Sequence, residues 1–295
     1  MFQRALVCTD FTDGLYRLAQ FVPSLASGGF KQIVFCHHVS VEGDWEIPPT
    51  ESDEVNEARQ RFENLLREVP EHVEVAIEVM MGRPSDNILR LVKKYNSQVV
   101  FLGSPTRTLL EEKLFGSTSA RLAEQTPVPL MILRPQLVST YTTKELDLRF
   151  QNLFEYLLIP YDGSEGSDYL LDQIKQAVKR NPEAKLERCR LLWVIDDGVR
   201  PELRGDAPFE EAQTKLQAVQ ASLSKLNLVV NTSVVEGNPL EEILKAAETH
   251  DISAIATCSR GIGGFLRWSI PSLTREILRH SWHPVLFYPP KSQLE

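Results

Sequence analysis

FGSTSARLAEQTPVPLMILRP (residues 115–135) and SIPSLTREILRHSWHPVLFYPP (residues 269–290) follow one grammar. In each, a small polar cluster opens an amphipathic helical pattern, a proline-containing turn stops it, and a short apolar run ends at a further proline. The pairing extends outward. ALVCTDFTD (5–13) matches LLIPYDGSE (157–165), both apolar runs that end in an aspartate followed by turn-forming residues. QIVFCHHV (32–39) matches RCRLLWVI (188–195), the Gly82-Arg83-Pro84 turn matches Gly237-Asn238-Pro239, and QVVFLGSPTR matches AIATCSRG. Gly82 and Gly237, Ser117 and Ser272, and Pro129 and Pro284 are each separated by 155 positions. A duplication of this length, in constant register, decides the architecture before any single element is assigned.

Within each copy, continuous apolar runs alternate with helical patterns. Val55, Ala58, Phe62, Leu65, Leu66 and Val69 share one helical face, and Ala212, Leu216, Val219, Leu223 and Leu226 share its counterpart. Strands apolar on both faces and separated by helices form parallel sheets covered on both sides. The sequence predicts α/β architecture: two tandem, doubly wound, five-stranded parallel-sheet domains of Rossmann-like type, packed as a pseudo-dimer through their last strands. The expected boundaries are 1–135 and 153–295, with the polar, aperiodic segment 136–152 as linker.

Composition bounds function. With 295 residues, 42% hydrophobic and 24% charged, the chain fits two globular cores. A net charge of -8 opposes a broad phosphate-neutralising surface, so nucleic acid is not an expected partner. No segment is long and apolar enough to span a membrane and no basic-then-apolar leader opens the chain, so a cytoplasmic protein is expected. Cys8, Cys36, Cys189 and Cys258 stand singly on apolar runs without a C-x-x-C motif or a histidine at ligand spacing, and are read as buried, reduced thiols. His37 and His38 face opposite sides of one strand and are read as packing or surface residues, and His280 and His283 as helix-end and turn residues. No G-x4-G-K-[ST] is present, so the lysine and magnesium-binding hydroxyl of P-loop phosphoryl transfer are missing.

In such sheets a ligand lies beyond the carboxyl ends of the strands, where strand order reverses. Asp10 and Asp162 end the first strand of each copy, and Gly103 and Cys258 end the fourth. A helix N-terminus offers unpaired N–H groups and the positive end of a dipole, and a preceding glycine lets the backbone approach a phosphate closely. The Gly116-Ser117-Thr118 helix start, with Asp10 available to a sugar or base, outlines a nucleotide site. Two bland readings stand beside it: serine and threonine cap helices on their own account, and an aspartate after a strand builds an Asx turn.

At these residues the chain resembles the universal stress protein family, whose nucleotide-binding members carry G-x2-G-x9-G-[ST] after the fourth strand. That pattern falls on Gly103, Thr106, Gly116 and Ser117 in the first half, with three of four positions kept. In the second half it falls on Cys258, Gly261, Pro271 and Ser272, with two kept. The resemblance implies adenine contacts from Asp10 and from the backbone at Val39, and at the corresponding Asp162 and Val194. It implies ATP or AMP as ligand, with or without magnesium, in a stress-response or regulatory protein that has an unidentified protein partner and scope to homodimerise. Pro271 removes the backbone freedom and a donor that Gly116 supplies, so the first half is read as the nucleotide site and the second as its weakened copy. The alternatives are a scaffold or small-molecule or lipid binder with degenerate sites, and a slow ATPase. No catalytic residue is assigned.

Overall fold

A computed structural model describes residues 1–11, 14–39, 53–66, 68–104, 117–181, 185–196, 207–258 and 272–289. The chain divides into two compact units: residues 2–151, and Met1 with residues 152–295. In the first, the strands are β1 (Arg4–Thr9), β2 (Gln32–Val39), β3 (Glu74–Met81), β4 (Val99–Gly103) and β5 (Leu130–Leu133). The helices are a 3-10 helix (Leu15–Phe21), α1 (Val22–Ser27), α2 (Asp53–Leu65), α3 (Pro84–Lys94), α4 (Ser117–Gln125), α5 (Pro135–Thr140) and α6 (Thr143–Gln151). The second unit has β6 (Tyr156–Pro160), α7 (Glu165–Arg180), β7 (Arg188–Asp196), α8 (Ala207–Ser224), β8 (Val229–Gly237), α9 (Pro239–Thr249), β9 (Ala254–Cys258), α10 (Ser272–His280) and β10 (Val285–Tyr288).

The first unit orders its parallel strands β3-β2-β1-β4-β5, and the second orders its own β8-β7-β6-β9-β10. Order reverses between β1 and β4, and again between β6 and β9. Register is continuous: Arg4 to Thr9 pair with Gln32 to His37, and Tyr156 to Pro160 with Arg188 to Leu192. Central strands are buried end to end, as Ala5, Leu6, Val7, Val99, Val100 and Phe101 illustrate, because helices cover both faces.

Two sequence expectations change. The apolar face of the second helix is cut short, since α2 ends at Leu65. Val55, Ala58 and Phe62 are buried, but Val69 lies beyond the last turn and is 44% exposed. The segment expected to be an aperiodic linker folds as α5 and α6, within the first unit. Leu137, Val138, Leu146 and Phe150 are buried there, and the Phe150 ring lies 5.2 Å from that of Phe21. Pro135 at the first helical position and the Thr142–Glu145 capping box, in which Thr142 N–H donates to Glu145 Oε2 at 2.7 Å, start these short helices. Neither is long enough for a period to stand out from a polar sequence.

Candidate functional site

At the switch point of the first unit, β1 runs out into exposed Asp10, β2 ends at buried Val39, β4 ends at half-buried Gly103, and α4 begins at Ser117 followed by half-buried Thr118. Strand order makes β2, β1 and β4 neighbours, so three predicted site residues share one end of one sheet. Thr106 and Gly116 lie outside the described residues, as does the side chain of Ser117.

Beneath Asp10 the loop is held by packing. Phe11 takes a left-handed conformation, φ 65°, with its N–H donated to Thr9 Oγ1 at 3.0 Å. Its ring lies 4.2 Å from that of His37 and 4.9 Å from that of Phe62, and the Arg61 guanidinium covers its outer face at 4.3 Å. His37 donates Nδ1–H to the Thr9 carbonyl at 2.9 Å. Burial lowers its pKa, partly opposed by that same hydrogen bond, so the ring is neutral and structural at pH 7. This agrees with the packing role read from its strand position.

The second unit builds the same triangle from different residues. Gly163 stands for Phe11, Trp193 for His37 and Lys215 for Arg61. Arg61 and Lys215 are 154 positions apart, as are Ala58 and Ala212 on the same buried face. Lys215 Nζ lies 5.8 Å from the Trp193 ring, and Tyr161 meets that ring edge-on at 5.7 Å. Tyr161 donates its hydroxyl to Asp168 Oδ1 at 2.7 Å, and burial, then this carboxylate, hold the phenol above its ordinary pKa. The equal helix offset carried the signal for this cation-over-ring pair. Gly163 has φ 69°, and a Cβ there would stand 2.9 Å from a Trp193 ring carbon. Gly163→Ala is therefore expected to destabilise the second unit by about 1–3 kcal/mol, strain and clash together, with the midpoint of denaturant unfolding as the measure. An unchanged midpoint would mean that the indole moves aside at no cost.

A cavity of about 210 Å³ opens beside this triangle, at the switch point between β6 and β9. Asp162, Val194 and Cys258 border it, so the structure unites these positions; Gly261 and Pro271 lie outside the described residues, as does the side chain of Ser272. Apolar side chains dominate its wall: Leu170, Leu192, Val194, Ile243, Leu273 and Ile277. The polar groups are already engaged with one another. Asp162 Oδ1 accepts the Ser164 N–H at 3.0 Å, the Asx turn of the bland reading, and Ser164 caps α7 by accepting the Ser167 N–H at 3.3 Å. Cys258 donates its thiol to the Gly166 carbonyl at 3.0 Å, and Thr274 donates to the Cys258 carbonyl at 3.1 Å. With that proton committed, Thr257 donates to Thr274 Oγ1 at 2.7 Å, which ties α10 to the end of β9. Where the first unit has a bare glycine at the end of β4, the second has a side chain bonded into the opposite helix.

A duplicated, doubly wound sheet with these residues at both switch points is the arrangement expected of one family, and its sequence profile matches residues 1–134 and 154–289. The chain belongs to the universal stress protein family. As a member it is a stress-response protein of that type, carrying the family's domain twice. Two universal stress proteins of Methanocaldococcus jannaschii resemble it at half length. One is 27% identical over 146 residues, aligned with 46% of this chain and 82% of the relative. The other is 28% identical over 156 residues, aligned with 45% and 94%. The crystal structure of a universal stress protein from Archaeoglobus fulgidus covers 98% of both chains with a TM-score of 0.64 at 18% identity, a likeness of fold. Among the described residues, no helix is long and apolar enough to cross a membrane.

Proposed function

We propose that this universal stress protein binds one adenine nucleotide, ATP or AMP, in its first half, and acts as a stress-response regulator through that occupancy. The observation that carries the reading is the convergence of Asp10, Val39 and Gly103 on neighbouring strand ends at the β1/β4 switch point, with α4 starting at Ser117 beside them. A residue without a side chain at the end of β4 leaves room for a phosphate, and the first turn of α4 supplies N–H donors and a favourable dipole. Asp10 is exposed at the end of β1, where a ligand at the switch point can reach it. With a magnesium ion bound alongside, the ligand would carry its own counter-charge. The chain's own share is to position base, sugar and phosphate.

The second half supports a different occupant. Ligand pockets for molecules of nucleotide size run to roughly 300–1,000 Å³, and the cavity at β6/β9 has about 210 Å³ with a mainly apolar wall. That favours a small apolar molecule there over a second nucleotide. Two measurements test the reading. Protein denatured straight after purification is expected to release an adenine nucleotide, identified by mass spectrometry, and titration calorimetry with ATP or AMP is expected to show one site per chain. No released nucleotide together with no heat of binding would refute it.

A further inference from the structure

Two cysteines that are far apart in sequence become direct neighbours in the first unit. Cys8 on β1 and Cys36 on β2 pair in register, and both are buried, Cys8 at 7% and Cys36 at 0% exposure. In-register residues on adjacent strands put their side chains on the same face, about 4.8 Å apart. His38, two residues along β2, stands on that face as well, with Nδ1 3.8 Å and Nε2 3.9 Å from Cys36 Sγ. Glu78 on β3 pairs with Cys36 from the other side, its carboxylate engaged by Lys94 at 2.6 Å and by the Tyr95 hydroxyl. The Cys8 thiol hydrogen-bonds to Cys36, and this bond, ahead of the contribution of His38, outweighs burial and Glu78 to bring the Cys36 pKa to about 6. Cys189, buried without such partners, is pushed the other way, up to about 12. The trio does not converge as a metal site would.

We propose that Cys8 and Cys36 form a reversible thiol–disulfide switch, closed by hydrogen peroxide or a related small peroxide. The Cys36 thiolate attacks one peroxide oxygen, the O–O bond breaks, and a Cys36 sulfenic acid forms as hydroxide leaves and takes up a proton to become water. The Cys8 sulfur then attacks the sulfenic sulfur, its proton leaves with the departing hydroxide as a second water, and the S–S bond closes. Two thiols lose two electrons and one peroxide gains them. Disulfides form across Cα separations of about 4.4–6.8 Å, so strand spacing permits the bridge, but their Cβ atoms prefer about 3.5–4.5 Å. In-register Cβ atoms on parallel strands stand somewhat wider than that, so the bridge is strained and easily reduced, as a switch requires. It would lie two residues before Asp10 and three residues before Val39, on the two strands that end at the candidate base contacts.

Full-length reduced protein is treated with hydrogen peroxide, alkylated with iodoacetamide and digested without reductant. The expected result is a chain lighter by two hydrogens, a linked pair of peptides carrying Cys8 and Cys36, and recovery of all four thiols with dithiothreitol. Cys8→Ser and Cys36→Ser should each lose the link, and Cys189→Ser and Cys258→Ser should keep it. His38→Gln, which removes the imidazole beside Cys36 Sγ, should slow its formation severalfold while leaving the link itself intact. Four alkylatable thiols after peroxide, a link through another cysteine, or Cys36 oxidised to sulfinic acid without a link would each overturn the proposal.

Discussion

Phe62→Ala is expected to remove about 3–5 kcal/mol from the stability of the first unit. Phe62 is fully buried on α2, its ring 4.9 Å from that of Phe11 and 5.6 Å from that of Phe35. Truncation leaves a cavity between a helix and a two-sided parallel sheet, where close packing gives little freedom to collapse. A domain holds about 5–15 kcal/mol in all, so the loss is a large fraction of the whole. Phe11 is a non-glycine residue at positive φ, a conformation its surroundings must enforce, and the Phe62 ring is part of that enforcement. Loosening it frees the loop that carries Asp10, so nucleotide affinity should fall along with stability. Phe62→Leu, which keeps most of the volume, should cost far less. Hydrogen exchange of peptides from β1 and β2 measures the loss, and a change below about 1 kcal/mol in Phe62→Ala would refute this account of the packing.

The fold was legible because the chain states it twice. A constant separation between Gly82 and Gly237, Ser117 and Ser272, and Pro129 and Pro284 lets each weak local signal be read in duplicate, and all five strands of each half follow from it. Local signals failed where one copy stood alone. Residues 136–152 have no counterpart, and two short helices bury only a few side chains, too few for a period to show. The thiol pair was hidden for another reason. Cys36 and His38 lie at i and i+2, which places them on one strand face, and that much is visible in sequence. The register that sets Cys8 beside Cys36 depends on how β1 slides along β2, and no local residue reports it. The closing of the second cavity is equally non-local, since it rests on a thiol at the end of β9 reaching a carbonyl in α7.

Gly116→Pro is expected to weaken adenine-nucleotide binding by tenfold or more, and Pro271→Gly to leave it intact. Gly116 immediately precedes α4, which begins at Ser117, and Pro271 holds the equivalent place before α10, which begins at Ser272. Proline has no N–H and a fixed φ, so the substitution would remove one donor from the proposed phosphate cradle and restrict the approach of the rest. A hydrogen bond to a charged group is worth about 1.5–3 kcal/mol, and about 1.4 kcal/mol is a factor of ten in affinity. Proline is tolerated at a helix start, so α4 itself should survive, and an unchanged circular dichroism spectrum separates lost binding from lost folding. Restoring glycine at position 271 does not reopen the second half, because the Cys258 side chain still stands at the end of β9 and the cavity there holds about 210 Å³. Calorimetric titration of wild type and both variants decides the assignment. Two sites in the wild type, or one site that survives Gly116→Pro and disappears in Asp162→Ala, would move the nucleotide to the second half.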